Sequence, residues 1–358
     1  MAIMPRFICW SKVLNEGTTV AENWLFWLDE IGQEHNDLVG KKCANLGEMH
    51  KLGLPVPPGF ALTVGAYKRF LTETGVTHEL RQYFSEFSAD AQDARRYQEA
   101  AEVTRQIVES KGMPKDMEDT IASYYDALCQ RCGIVDVAVA TRSAGVVSHP
   151  GQYETYLNVK GKADLLEKII RVWSSTFNAR SLISRARQGL ALESNPIGIA
   201  VLKMVNARCA GICFTADANS GDKSKVTIEA NWGLGESVVG GIVVPDRWTL
   251  DKGSLAVLEK RLGEKRAQIA FGESGVREEE IPPDRRCIFC LSDEEATRIG
   301  QLAKILESHF GMPQDLEWAI DSNSPFLENV LLLQTRPEVI KRKGTTYRIL
   351  DEILRGGQ

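Results

Sequence analysis

Residues 315–338 read DLEWAIDSNSPFLENVLLLQTRPE, and this stretch decides the fold. Two apolar runs, Asp315–Ile320 and Asn329–Arg336, flank a polar turn over Asp321–Pro325, so the spacing predicts a β-hairpin. Residues two apart in a strand share a face. Asp315 and Glu317 therefore point one way, with Leu316 and Trp318 opposite. Gln334 and Arg336 likewise share a face, with Leu331 and Leu333 expected on the other. Paired in the right register, the strands would set two carboxylates, an amide and a guanidinium on one surface. Carboxylate and amide oxygens suit Mg²⁺, and a guanidinium suits phosphate, so the set points to Mg-nucleotide chemistry. The same spacing also suits an ordinary solvated sheet face closed by an acid–arginine ion pair.

Working outward, the last long helix should open at Ser292-Asp-Glu-Glu295, a capping-box pattern. Upstream, Ile197–Val205, Gly211–Thr215 and Val226–Asn231 read as short strands broken by turns, followed by a Gly-rich segment, Trp232–Glu236. Residues 162–190 carry one strong helix pattern, and residues 64–132 read as several amphipathic helices. Between them a strand is expected over Val135–Arg142. It runs into a loop holding Ser143, Gly145, Ser148, Pro150 and Gly151, whose backbone N–H groups suit phosphate. Lys42 follows Gly40-Lys41 just ahead of a short helix reaching Leu52. Neither segment is a Walker A motif, and no GxGxxG joins a strand to a helix. Taken singly, Lys42 suits a solvated surface lysine and Gly235 a turn glycine.

The chain has 358 residues, 43% apolar and 25% charged, enough for two or three folded units at roughly 150 residues each. Its net charge of −5 gives no sign of a nucleic-acid or anionic-membrane binder. No apolar run approaches the ~18 residues of a membrane span. The opening MAIMPRFICW does not read as a signal peptide, so a cytoplasmic chain is expected. Eight cysteines include two CxxC pairs, Cys129/Cys132 at a helix end and Cys287/Cys290 in a strand-like RRCIFCL. A zinc site is one use of such pairs; thiols packed as small hydrophobes are the reading preferred here. The texture predicts an α+β chain of two lobes with a cleft between them.

Together the blocks VGKKCANLGEM (39–49), GLPVPPGF (53–60), ATRSAGVVSHPGQYETYLNV (140–159), FTADANSG (214–221), NWGLGESVVGG (231–241), DLEWAI and LLLQTRPE resemble a known family. It is the N-terminal ATP-grasp nucleotide-binding region of phosphoenolpyruvate synthases and pyruvate phosphate dikinases, matched over roughly residues 36–338 in order. The Ser-His-Pro-Gly loop has the short spacing of the dikinase branch, and NWGLGE is nearer the synthase branch. The resemblance implies an ATP-grasp fold with ATP between two lobes, divided here as residues 1–195 and 196–338 with a tail over 339–358. It implies Glu317 and Gln334 as Mg²⁺ ligands and Lys42, Arg142 and Arg336 on phosphate oxygens. Asp315, Ser148, Gly151, Thr215, Gly235 and Glu236 fall at further nucleotide-site positions. One departure is Leu202 in VLKMV, where the family often has Gln; an adenine contact there would have to come from the backbone.

Family enzymes pass phosphoryl from ATP to a histidine in a Gly-Gly-x-x-Ser/Thr-His-Ala setting on a swivelling domain, then to the acceptor. The five histidines here are His35, His50, His78, His149 and His309, and none has that setting. The family's acceptor-binding barrel, which needs ~250 residues, has no room either. The resemblance thus implies a histidine-bearing partner subunit that also binds the small acceptor. The way the chain is cut resembles members that phosphorylate phenol and release AMP and phosphate. Other expectations left open are pyruvate or another acceptor, an acyl-phosphate-forming ligase, and a nucleotide-sensing subunit without turnover.

Overall fold

The computed structural model describes residues 23–88, 90, 93–146, 152–217 and 221–338. In chain order, β1 (Leu25–Trp27) leads to α1 (Asn36–Val39) and α2 (Lys41–Lys51). After β2 (Gly59–Leu62) come α3 (Val64–Glu73), α4 (Val76–Glu86), α5 (Ala94–Glu109) and α6 (Lys115–Cys132). The chain continues with β3 (Val139–Ala144), β4 (Thr155–Val159), α7 (Gly161–Ser174), α8 (Ala179–Arg187) and β5 (Gly198–Lys203). Next are β6 (Ala207–Phe214), β7 (Lys225–Trp232), α9 (Glu236–Val239), β8 (Asp246–Asp251) and β9 (Val257–Arg261). The last elements are β10 (Ala267–Phe271), β11 (Val276–Glu280), α10 (Pro283–Arg286), α11 (Asp293–Phe310), β12 (Gln314–Asp321) and β13 (Val330–Pro337).

These strands form a five-stranded sheet, β1-β2-β5-β3-β4, a six-stranded sheet, β13-β12-β6-β7-β8-β9, and the β10–β11 hairpin. Neighbouring strands pair antiparallel throughout. The mixed α+β class expected from the sequence is therefore observed. β5 joins the first sheet between β2 and β3, so the chain changes sheets after Lys203, whereas the expected division fell at 195/196. An apolar run buried on both faces reads alike whichever sheet receives it.

Helices α3 to α8 bury Tyr67, Phe70, Tyr97, Tyr125, Trp173 and Phe177 against one face of the first sheet. A second core joins α2 and α11 to the second sheet through Leu46, Met49, Trp248, Leu302, Leu316 and Trp318. Helix starts follow their caps: Thr63 Oγ1 accepts from Ala66 N at 3.1 Å, and Ser292 and Glu295 close the expected capping box. Asn178 caps α8 and so breaks the single helix expected over 162–190 into two. The strand expected from Val135 begins only at Val139; Val135 lies in a turn and is 90% exposed. RRCIFCL forms no strand: α10 ends at Arg286 and the rest is irregular, with Cys287 exposed and Cys290 buried. Among the described residues no helix is long and apolar enough to cross a membrane.

Candidate functional site

The hairpin forms in the register that matters. Asp315 lies opposite Arg336, and Glu317 opposite Gln334. Arg336 donates from Nε to Asp315 Oδ2 at 2.7 Å, and its Nη2 lies 2.7 Å from the same oxygen as an ion pair. A bulge then intervenes, because Trp318 pairs with Leu332 and leaves Leu333 as the extra residue. A bulge reverses the face of everything beyond it. Leu331 consequently packs beside Val205, Ala210 and Ala319, on the face of Glu317 and not opposite it as alternation predicted, and the bulged Leu333 touches both that cluster and the core. The core face is held by Leu316, Trp318, Ile320, Val330 and Leu332.

Two distant segments meet this face. Gly40 has φ +80°, and a Cβ there would lie 1.9 Å from Ala144 O, so only glycine lets α2 start against the end of β3. Lys41 N donates to Gly145 O at 2.9 Å, and Asn45 Nδ2 to Thr335 O at 2.9 Å. These bonds tie α2 to both β3 and β13. They place Lys42 beside Arg142, whose Nη1 lies 3.3 Å from Glu317 Oε2. The two side chains are only 11% and 18% exposed. Lys42 is half-buried; desolvation first, then the Arg142 charge, holds its amine below the usual lysine value, while Glu317 opposes the shift.

These groups line one cavity of about 610 Å³ whose walls come from both sheets. Its polar end carries Lys42, Arg142, Glu317, Gln334 and Arg336; Ala140, Leu202, Met204, Val205 and Leu333 supply apolar wall. Gly235 and Glu236 line it too, and burial raises the Glu236 carboxyl above its ordinary range. Ser143 and Gly145 represent the expected phosphate loop in the cavity wall. Ser148 and Gly151 lie outside the described residues, as does His149.

Two expected residues are placed elsewhere. Thr215 is buried at the end of β6, where its Oγ1 accepts from Gln314 N at 2.8 Å, and it does not line the cavity. Asp315 is absent from the wall as well, its carboxylate turned to Arg336. Burial outweighs that guanidinium and raises the Asp315 carboxyl. The sequence reading missed Asn45 and Lys203, both of which line the cavity. Asn45 had a signal, since it sits three residues after Lys42 on one helix face.

Chemically the cavity sets four lysines or arginines of α2, β3 and β13 (Lys41, Lys42, Arg142 and Arg336), with Lys203, against Glu236 and Glu317. A surplus of cations with planar guanidinium forks is what a polyphosphate requires. Glu317 and Gln334 offer two oxygen donors opposite each other in the ladder, a set that fits Mg²⁺ with phosphate oxygens and water completing its shell. Among the described residues no group of three or more His, Cys, Asp or Glu converges as a metal site.

Fold and cavity thus describe a nucleotide-binding α+β unit whose architecture an ATP-grasp fold fits. Comparison with known proteins gives the family. Residues 36–355 match the pyruvate phosphate dikinase AMP/ATP-binding domain, and the chain belongs to that family. It is 36% identical over 348 residues to a probable phosphoenolpyruvate synthase of Staphylothermus marinus, covering 89% of this chain and 42% of that protein. The phosphoenolpyruvate synthase of Aeropyrum pernix is 36% identical over 347 residues, with 88% and 42% covered. That of Pyrococcus furiosus is 31% identical over 377 residues, with 93% and 46% covered. The chain spans less than half the length of these relatives.

Proposed function

We propose that this chain binds Mg-ATP between two lobes, one built on each large sheet, and transfers a phosphoryl group to a histidine lying outside residues 1–358. The observation that carries this reading is the convergence of Lys42, Arg142, Glu317, Gln334 and Arg336 in one cavity that also has apolar wall from Ala140, Leu202, Met204, Val205 and Leu333. Adenine would lie along Leu202–Val205, reading backbone groups, since Leu202 offers no side-chain hydrogen bond. The phosphates would lie toward Lys42, Arg142 and Arg336. Glu317 and Gln334 would hold Mg²⁺, which when bound offsets phosphate charge. Partly buried cations held in place before the nucleotide arrives supply positioning and electrostatic stabilisation, which is most of what phosphoryl transfer asks of a protein.

In the balanced reaction, ATP, water and the imidazole give AMP, phosphate and phosphohistidine. The phosphohistidine then serves a small acceptor. Two acceptors are proposed for testing: phenol, as in phenylphosphate synthase, and pyruvate, in keeping with the name of the relatives. Family membership leaves the acceptor open, because function lives in the site and not in the fold.

The test incubates the purified chain with Mg²⁺ and ATP labelled at the β or the γ position. The chain alone should stay unlabelled. Adding a protein that carries a histidine in the Gly-Gly-x-x-Ser/Thr-His-Ala setting should put acid-labile label on that protein, and phenol or pyruvate should then discharge it. Acid-labile label on this chain alone, abolished by His149→Ala, would overturn the reading.

A further inference from the structure

The wall of the cavity opposite α2 is held together by a residue that the nucleotide reading does not use. β4 is the outer strand of the first sheet and contributes Thr155 and Leu157 to the cavity. The next residue, Asn158, is 2% exposed and adopts φ 55°, a left-handed conformation that Asn tolerates better than most side chains. Its Nδ2 donates to Gly272 O at 3.0 Å and Gly275 O at 2.7 Å, the two ends of the β10–β11 turn. Both partners are carbonyl oxygens, so the amide nitrogen must face them. Asn158 Oδ1 is buried without a hydrogen-bond partner among the described residues.

The other side of the same hairpin grips the Gly-rich segment. Leu234 N donates to Ile269 O at 2.8 Å, and Asn231 Nδ2 to Ala267 O at 2.8 Å. Gly233 has φ +73°, and a Cβ there would lie 2.4 Å from Ile269 O, so the segment runs hard against β10. Leu234, Gly235 and Glu236 line the cavity. One unbroken path of hydrogen bonds and backbone therefore joins β4, through Asn158 and β10, to the segment across the cavity.

We propose that Asn158 is a positioning residue for the nucleotide: by clasping the β10–β11 turn it holds Leu234–Glu236 in place over the cavity. The inference rests on the reading of this cavity as a nucleotide site. Only an amide with two donors at a left-handed position can make both bonds, and neither bond touches the ligand. Its loss should therefore loosen the far wall without removing any group that contacts nucleotide.

The test measures binding of a Mg-bound non-hydrolysable ATP analogue by calorimetry, together with amide hydrogen exchange of the hairpin. Asn158→Gly keeps the backbone conformation and removes both donors; affinity should fall about tenfold. Exchange at residues 267–280 and at Leu234 should quicken together. Asn158→Asp presents a carboxylate to two carbonyls and should bind more weakly still near neutral pH. Such a carboxyl is pushed up by its surroundings. On acidification it should regain a donor, and its affinity relative to wild type should recover, which a purely structural defect would not do. If neither variant folds, the wild-type chain decides: the analogue should slow exchange at the Gly272–Gly275 turn along with Leu234, and protection of Leu234 alone overturns the clasp. Wild-type chain that binds no analogue refutes the nucleotide reading itself. Wild type that binds while both variants match it within about twofold refutes only the role of Asn158.

Discussion

Glu317→Gln separates the catalytic from the structural value of the cavity's polar end. The change keeps side-chain volume and strand register but removes the carboxylate that faces Arg142 at 3.3 Å. At that distance and an effective dielectric constant near 20, the attraction is about 5 kcal/mol. Most of it is offset by desolvation, since the two side chains are only 11% and 18% exposed. A net loss of about 1–2 kcal/mol in urea unfolding is therefore expected. Nucleotide binding should respond differently according to metal. Without Mg²⁺, ATP should bind the variant at least as well as wild type, because Lys42, Arg142 and Arg336 now face it with one opposing charge fewer. With Mg²⁺, the gain in affinity that the metal confers should shrink by about tenfold or more, as loss of an oxygen ligand predicts. Calorimetric titrations with Mg²⁺ and with a chelator, at two salt concentrations, read both effects. An unchanged ratio of the two affinities would refute the assignment of Glu317 to the metal, above all if Gln334→Ala left it unchanged too. A stability loss above about 4 kcal/mol with normal metal dependence would make the pair a structural ion pair alone.

Other outcomes follow from neighbouring residues. Arg336→Lys swaps a fork for a point charge where Nε and Nη2 both reach Asp315 at 2.7 Å, so ATP affinity should fall about tenfold; a change under about twofold would leave Arg336 a surface ion-pair partner. Gly40→Ala must put a methyl group 1.9 Å from Ala144 O at φ +80°, and should cost about 3 kcal/mol or more in urea unfolding, with ATP affinity lost alongside; a cost under about 1 kcal/mol would contradict the close approach of α2 to β3. Burial, with help from the Asp315 and Asp217 charges, holds the Glu338 carboxyl up at about 7 against an ordinary 4.5, although Ala216 N and Lys252 pull it down. The folded chain keeps that proton where the unfolded chain releases it, so this contribution to stability is whole below about pH 4.5 and is lost as pH rises through about 7. Glu338→Gln should flatten that fall, and parallel urea midpoints for both chains at about pH 5 and pH 8 would dismiss it.

Much of the site was legible because it is local. Two-residue alternation put Glu317 on one face of β12, a polar turn closed the hairpin, and the capping box at Ser292 started α11; each depends on neighbours a few residues away. Gly40 ahead of Lys42 could likewise be read as the start of a helix. The remaining features depended on which surfaces the chain buries together. Arg142 meets Glu317 from 175 positions away, and Asn45 meets Thr335 from 290, pairings that no periodicity encodes. The bulge at Leu333 put Leu331 on the face of Glu317 and Leu333 in the cavity wall, because one extra residue shifts a period of two by half a cycle. β5 joined the first sheet because its apolar run is equally at home in either. Thr215 and Asp315 found partners in Gln314 and Arg336 and do not line the cavity, although the resemblance implied nucleotide-site positions for both. The sequence by itself determined the residue types and the local faces they share. Only the tertiary structure decided which faces meet, since burial rewards contacts without regard to their separation along the chain.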